Sequence, residues 1–453
     1  MANDMLDFSK VNKDNLRYKL LYGYLRLAHN YIYYRRFIVR GKNNIPKDEG
    51  YLVIGNHQNG LNDALGILFG LHRSVVFIAR ADIFRKKFIA KLLSFLHIMP
   101  AYRQRDTGKE NLDKNDVIFA HSARIINEGD VVGLFPEAGH QDCHNLGSFK
   151  KGFARIAFQT VEKTDFKMKL KILPVGNHYD SYTHMQNRLI INIGEPFEFT
   201  ELYDLYKENP ERARYLLAKK SRERVEKLML NIEDLENYDA IDKLCSINRL
   251  IVRPRGSFLK RNFIKEYEAD KKIVAKLKAH KENSPEAYDE LMGKANEYDG
   301  LLKKLNLRDW VLSRKVFRWG ILRTILWILF LPIWAVCAAL NIVPYCASYP
   351  ITRKMKDKML VSSVYFGAGV LVLFPIWYLL LFAITWIVTK TWWIALITLA
   401  LLPLTLVIFQ RARILGIKLY NRIRRAVLTS KKDPDLARAV ELRKELKRDI
   451  SKL

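Results

Sequence analysis

Residues 53–70 read "VIGNHQNGLNDALGILFG". A short apolar run leads in, a polar loop follows, and an apolar run with helical spacing leads out. Strand, loop and helix in that order repeat through residues 46–200. The runs "GYLVIGN", "SVVFIAR", "DVVGLFP", "KLKILPVGNHY" and "LIINIGEPF" have the length and composition of strands. Between them lie "NDALGILFGL", "FIAKLLSFL", "NDVIFAHSARIINEG" and "KGFARIAFQTVEK", which have helical spacing. The expected fold is α/β, a mostly parallel sheet flanked by helices. In such sheets the reactive groups gather on loops that follow the strands.

Those loops carry the informative side chains. His57 follows "YLVIG", with Asn62 five positions on and Asp63 six. Glu137 and Gly139 lie in "FPEAGHQD" after "VVGL", Arg103 in "IMPAYRQRD", Lys151 at the head of "KGFARIA", and Pro174 and Val175 in "PVGNHY". A carboxylate bonded to one imidazole nitrogen fixes the tautomer and stabilises the imidazolium, whereas an asparagine can only fix the ring. Asn62 reads as the N-cap of the helix that follows. Asp63 then falls in the first turn, where the helix dipole favours its charge, and the dyad is assigned to His57 and Asp63. His140, Asp142 and His144 read as solvated loop residues, so no metal site is expected.

Composition bounds the partners. The 453-residue chain has a formal net charge of +29, which calls for an anionic partner. No aromatic–basic RNA-binding motif occurs, so nucleic acid is not expected. Cys143, Cys245, Cys337 and Cys346 are scattered, which fits a reducing compartment and neither a disulfide framework nor a zinc knuckle. The start "MANDMLDFSKVNKD" lacks the apolar core of a signal peptide. Segments 324–345, 360–388 and 391–409 carry no charge, and about 20 apolar residues suffice to span a bilayer. Trp386, Trp392 and Trp393 suit an interfacial belt. The chain is therefore read as an integral membrane protein whose cations face lipid headgroups.

"SRKVFRWGILR", "ITRKMKDK" and "RARILGIKLYNRIRRAV" flank these runs, and the positive-inside rule assigns all three to the cytoplasm. Three full crossings cannot satisfy that. Segment 324–345 is expected to be a re-entrant or interfacial hairpin broken near Pro332 and Pro344, and the later runs a spanning pair. Five regions follow: an N-terminal interfacial helix and lead-in (1–45), the α/β domain (46–205), a charged helical insertion (206–317), a membrane region (318–410) and a basic cytoplasmic tail (411–453).

The loops as a set resemble the glycerolipid acyltransferases, which acylate glycerol-3-phosphate or lysophosphatidic acid. "NHQNGLND" resembles the family's first block, Pro100 to Arg103 its second, "FPEAGH" its third, and Pro174–Val175 its fourth. The resemblance covers about residues 40–200 and extends to "FKKGFARIA" and "INIGEPF". The six-position His–Asp spacing looks like that of a branch close to the fungal glycerol-3-phosphate acyltransferases, and the chain looks like a bacterial relative of it. That branch also has a charged helical insertion and trailing membrane segments. Ala138 departs from the family, which usually has glycine there.

The resemblance implies a membrane-bound O-acyltransferase of phospholipid biosynthesis. The donor would be acyl-CoA or acyl-carrier protein, a co-substrate rather than a cofactor, and the family needs no metal. The acceptor would be 1-acylglycerol-3-phosphate and the product phosphatidic acid. Glycerol-3-phosphate or another lysolipid is the alternative acceptor. His57 and Asp63 would be catalytic, Arg103 and Lys151 would bind the acceptor's phosphate, and Glu137 would position the glycerol hydroxyl or anchor its own loop, with Gly139 as a flexible neighbour. The expected location is a bacterial inner membrane, with the catalytic domain on the cytoplasmic side. A non-catalytic membrane scaffold is the alternative of another class, and the intact His57, Asp63 and Glu137 argue against it.

Overall fold

The computed structural model describes residues 8–102, 114–137, 139, 143–252, 262–313, 320–353 and 358–453. They form two units, residues 1–229 with 348–373, and residues 230–347 with 374–453.

The first unit is built on one seven-stranded sheet. Its strands are β1 (Tyr34–Arg40), β2 (Tyr51–Gly55), β3 (Val75–Arg80), β4 (Ile98–Ala101), β5 (Val131–Leu134), β6 (Ile172–Tyr179) and β7 (Asn187–Ile193). They lie in the order β1-β7-β6-β2-β5-β3-β4. Neighbours run parallel except β6 and β7. A mostly parallel α/β sheet is what the alternation of short apolar runs and helical runs predicts. Every residue of β6 and β7 is buried, as strands covered on both faces must be.

The helices are α1 (Leu16–Leu27), α2 (Leu61–Leu71), α3 (Lys87–Phe95), α4 (Lys114–Asn127), α5 (Gly152–Glu162), α6 (Tyr203–Glu208) and α7 (Pro210–Glu226). Leu52, Ile54, Val76 and Val132 of the sheet share a core with Phe119, Phe153 and Phe158 of α4 and α5. Helix α2 rests on β6 and β7. It comes close because position 66 has no side chain, since a Cβ there would meet Ile191 Cδ1 at 2.8 Å.

Two boundary expectations are corrected here. The stretch read as one interfacial helix is helical only from Leu16 to Leu27, passes through a π-helical turn at Ala28–Tyr33, and ends in β1. Tyr18, Tyr33 and Tyr34 are buried while Leu16, Leu20 and Tyr31 are exposed, and β1 pairs with β7, which is why the lead-in belongs to the α/β unit. Helix α7 also belongs there rather than to an insertion. It contacts β6, and just beyond it the Leu228 carbonyl accepts from Asn192 Nδ2 at 2.9 Å.

Residues 348–373 return to this unit. Helix Lys358–Val364 runs into a π-helical stretch, Tyr365–Leu373. Phe366 is fully buried against the rings of His29 and Tyr33.

The second unit is helical. Helices Tyr238–Val252, Phe263–Asn283, Pro285–Lys304 and Pro434–Lys452 share one core around Leu244, Ile247, Leu277, Tyr298, Leu442 and Leu446. The expected basic tail is thus part of a packed bundle, because Leu436, Ala439, Leu442, Leu446 and Ile450 form an apolar face. Buried Asp309 accepts from Arg443 Nε at 2.7 Å and from the Tyr298 hydroxyl at 2.7 Å. Three segments, Leu331–Ser348, Val361–Thr389 and Trp392–Ser430, are long and apolar enough to cross a membrane.

The first apolar run breaks once, between helices Gly320–Leu329 and Leu331–Arg353. Pro332 sits in the first turn of the second helix, where its missing N–H costs nothing. Pro344 lies inside that helix, so the second expected break is absent. Between the apolar helices Asn341 is satisfied in the core, donating to Thr405 Oγ1 at 2.8 Å and accepting from the Tyr378 hydroxyl at 2.7 Å.

Candidate active site

Strand β2 lies between β5 and β6, so the C-terminal ends of three parallel neighbours meet. His57 comes from the loop after β2 and Glu137 from the loop after β5. Strand β6 continues to Tyr179 and presents Asn177 and Tyr179, two positions apart, on one face. The segment "PVGNHY" is therefore strand rather than loop.

The dyad is formed. His57 Nδ1 lies 3.0 Å from Asp63 Oδ2, and Asp63 is fully buried while the His57 side chain is 25% exposed. Asp63 stands in the first turn of α2. Its Oδ2 also accepts the backbone N–H of Gln58 at 2.8 Å and of Asn59 at 2.6 Å. Its Oδ1 accepts from the Tyr179 hydroxyl at 2.7 Å and from Asn177 Nδ2 at 3.4 Å. A carboxylate can only accept, so Nδ1 carries the imidazole proton and Nε2 holds the lone pair. Phe135 stacks on the imidazole, with centroids 4.4 Å apart and planes 13° apart.

The turn that lets Asp63 reach back is set by Gly60, at φ 54° and ψ −124°, a conformation that L side chains avoid. This corrects the cap. Gly60, not Asn62, occupies the N-cap position and supplies no side chain. Asn62 is buried inside the helix and donates through Nδ2 to Ser362 Oγ at 2.9 Å. The glycine's positive φ starts the helix earlier than the sequence suggests.

Glu137 is 7% exposed. Its Oε1 accepts the His57 N–H at 2.6 Å and its Oε2 the Gly147 N–H at 2.9 Å. Burial pushes its carboxyl up to about 7, against the opposing pull of these two amide bonds and of His57. The carboxyl thus ties the loop after β5 to the backbone of His57.

Lys151 precedes α5 and pairs with Glu211, with Nζ 3.0 Å from Oε2. Gly139 is exposed in the loop after β5, with open space where a Cβ would project. Arg103, Ala138, His140 and Asp142 lie outside the described residues. His144 is buried, 2.8 Å through Nδ1 from the Tyr182 hydroxyl and stacked on His178. It is not a solvated loop residue, because Tyr182 and His178 cover it.

The sequence reading missed Asn56, Asn177 and Tyr179. Asn56 Oδ1 accepts the Asn177 N–H at 2.6 Å, and Asn56 Nδ2 donates to the Asn177 carbonyl at 3.0 Å. These bonds lock β2 to β6 behind the dyad. The signal was the period of two in "NHY" at the end of an apolar strand.

The family model described as Acyltransferase matches residues 36–177. A 1-acyl-sn-glycerol-3-phosphate acyltransferase of Borreliella burgdorferi is 24% identical over 159 residues, 35% of this chain and 57% of that protein. One from Bacillus subtilis is 27% identical over 120 residues, 26% of this chain and 55% of that protein. Glycerol-3-phosphate O-acyltransferase 1 of Saccharomyces cerevisiae is 30% identical over 97 residues, 21% of this chain and 12% of that protein. The chain spans a little over half the length of the two bacterial relatives.

Proposed function

We propose that this chain, whose residues 36–177 carry an acyltransferase-family domain, transfers a fatty acyl group to the free hydroxyl of 1-acylglycerol-3-phosphate. The observation that carries the reading is the His57–Asp63 pair, held by four further donors and set beside Glu137. As the acceptor hydroxyl attacks the thioester carbonyl of acyl-CoA or acyl-carrier protein, His57 Nε2 takes its proton. Asp63 stabilises the imidazolium that results. The tetrahedral centre collapses, the C–S bond breaks, and the departing thiolate receives the proton from His57. No serine nucleophile and no resident cofactor are needed. Arg103 is assigned to the acceptor's phosphate by the family resemblance, and the Lys151–Glu211 pair makes Lys151 the weaker partner for that role.

Membrane lipids surround the apolar helices in this reading. The α/β domain lies on the cytoplasmic side of a bacterial inner membrane, as the basic flank "RARILGIKLYNRIRR" after the last apolar run supports. A second acceptor, glycerol-3-phosphate, is favoured by the match to the yeast protein of that activity.

The test is acyl transfer by the purified protein, given labelled donor and a panel of lysophosphatidic acid, glycerol-3-phosphate and other lysolipids. Lysophosphatidic acid should be the preferred acceptor. His57→Ala and Asp63→Asn should each lose roughly 10⁴ in turnover. His57→Ala should keep its melting temperature, while Asp63→Asn, whose amide nitrogen must face donors, should stay folded but melt lower. Wild-type protein inert on the whole panel, or Asp63→Asn with full activity, overturns the reading.

A further inference from the structure

Helix α2 begins without a cap of its own, and its first N–H groups need partners. Leu61 N–H donates to Ser363 Oγ at 2.9 Å, and the same hydroxyl donates to the Asn59 carbonyl at 3.0 Å. Ser363 therefore does for α2 what an N-cap side chain does, from a segment 302 residues away in sequence. Its neighbour strengthens the contact. Ser362 Oγ accepts from Asn62 Nδ2 at 2.9 Å and lies 2.6 Å from the Tyr33 hydroxyl. Ser362 and Ser363 are both buried, as are Asn59 and Asn62.

The loop between His57 and Asp63 is thus held at two points. Asp63 gathers its first half through the N–H groups of Gln58 and Asn59. Ser363 closes its second half at Asn59 and Leu61. Between them lies Gly60, a residue with little conformational restraint of its own. Ser362 and Ser363 head the apolar segment Val361–Thr389, so the clamp comes from the start of a candidate membrane span.

We infer that Ser363, supported by Ser362, is a positioning residue for the dyad. Its hydroxyl caps α2 in trans and fixes the loop that sets Asp63 against His57. This rests on the acyl-transfer reading for its catalytic consequence, and on geometry alone for the cap. Small misplacements of a catalytic group cost up to about 10²-fold in rate. Ser363 reaches the loop through Leu61 and Asn59, so its loss should act on orientation more than on acceptor affinity.

The experiment compares the full-length wild type with Ser363→Ala and Ser363→Thr in lipid nanodiscs. Two quantities are read: hydrogen–deuterium exchange of peptides covering residues 57–66, and steady-state kinetics with lysophosphatidic acid. Ser363→Ala should exchange about tenfold faster in that peptide. Its kcat should fall about tenfold or more, with the acceptor KM within about twofold. Ser363→Thr, which keeps the hydroxyl, should restore both. Unchanged exchange in Ser363→Ala overturns the cap whatever the kinetics. Faster exchange with wild-type kcat overturns the positioning role, as does a Ser363→Thr protein no better than Ser363→Ala. If the wild type itself transfers no acyl group, the proposed function fails and the catalytic half of this inference falls with it. The exchange result still decides the cap.

Discussion

Glu137 ties two loops together with one buried carboxyl. Its oxygens bond two backbone amides, yet burial raises its protonation midpoint from 4.5 to about 7. A folded value above the unfolded one stabilises the fold fully below about pH 4.5, and that contribution is lost as pH rises through about 7. Relative to Glu137→Gln, the wild type should therefore lose of order 3 kcal/mol between those limits, read from unfolding curves of the purified proteins across that range. A difference that stays flat with pH would show that the amide bonds outweigh burial. The pairing of His57 with Asp63 was legible at this scale. His57 and Asp63 announce themselves because strand, loop and helix put a base and a carboxylate on one turn. Asn56, Asn177 and Tyr179 stayed hidden because their roles depend on which strands are neighbours, and sequence order does not give β6 beside β2.

At the scale of elements, five of the seven strands and the helices between β2 and β6 stand where apolar periodicity predicts. Strand β1 was misread because leucines, tyrosines and cations at mixed spacing fit an interfacial helix as well as an edge strand. The cap of α2 was misread because Asn62 is a good local cap and Ser363 is not local at all. The same limit hid the docking of Pro434–Lys452, whose sequence reads as a solvated basic tail. Leu442, fully buried in that helix, gives a direct test. Leu442→Ala should destabilise the helical unit by about 2–5 kcal/mol, measured by thermal unfolding. A loss below about 0.5 kcal/mol, typical of surface changes, would mean that the helix does not contribute to the core.

At the scale of the molecule, packing constrains membrane topology. Helices Pro285–Lys304 and Pro434–Lys452 share a core, so the chain between them crosses any bilayer an even number of times. A re-entrant run 324–345, as the sequence leads one to expect, satisfies that count. The later two runs would then cross as a pair, with Lys390 between them. On a background lacking native cysteines, Lys390→Cys should react with a membrane-impermeant thiol reagent in intact cells, and Lys431→Cys only after lysis. Labelling of both sites in intact cells, or of neither, would show that the last run does not cross between them. The trans cap has a further consequence, for biogenesis. The ribosome makes Ser363 302 residues after Leu61, roughly 15–60 s later at ordinary elongation rates of about 5–20 residues per second. For that interval the nascent α/β domain holds its strands and its dyad residues without the hydroxyl that closes their loop. A chain released before residue 363 would carry the whole acyltransferase-family segment and still lack the clamp, so on the proposed reading the full rate of acyl transfer would arrive with the delivery of the apolar helices rather than with the domain that bears the dyad.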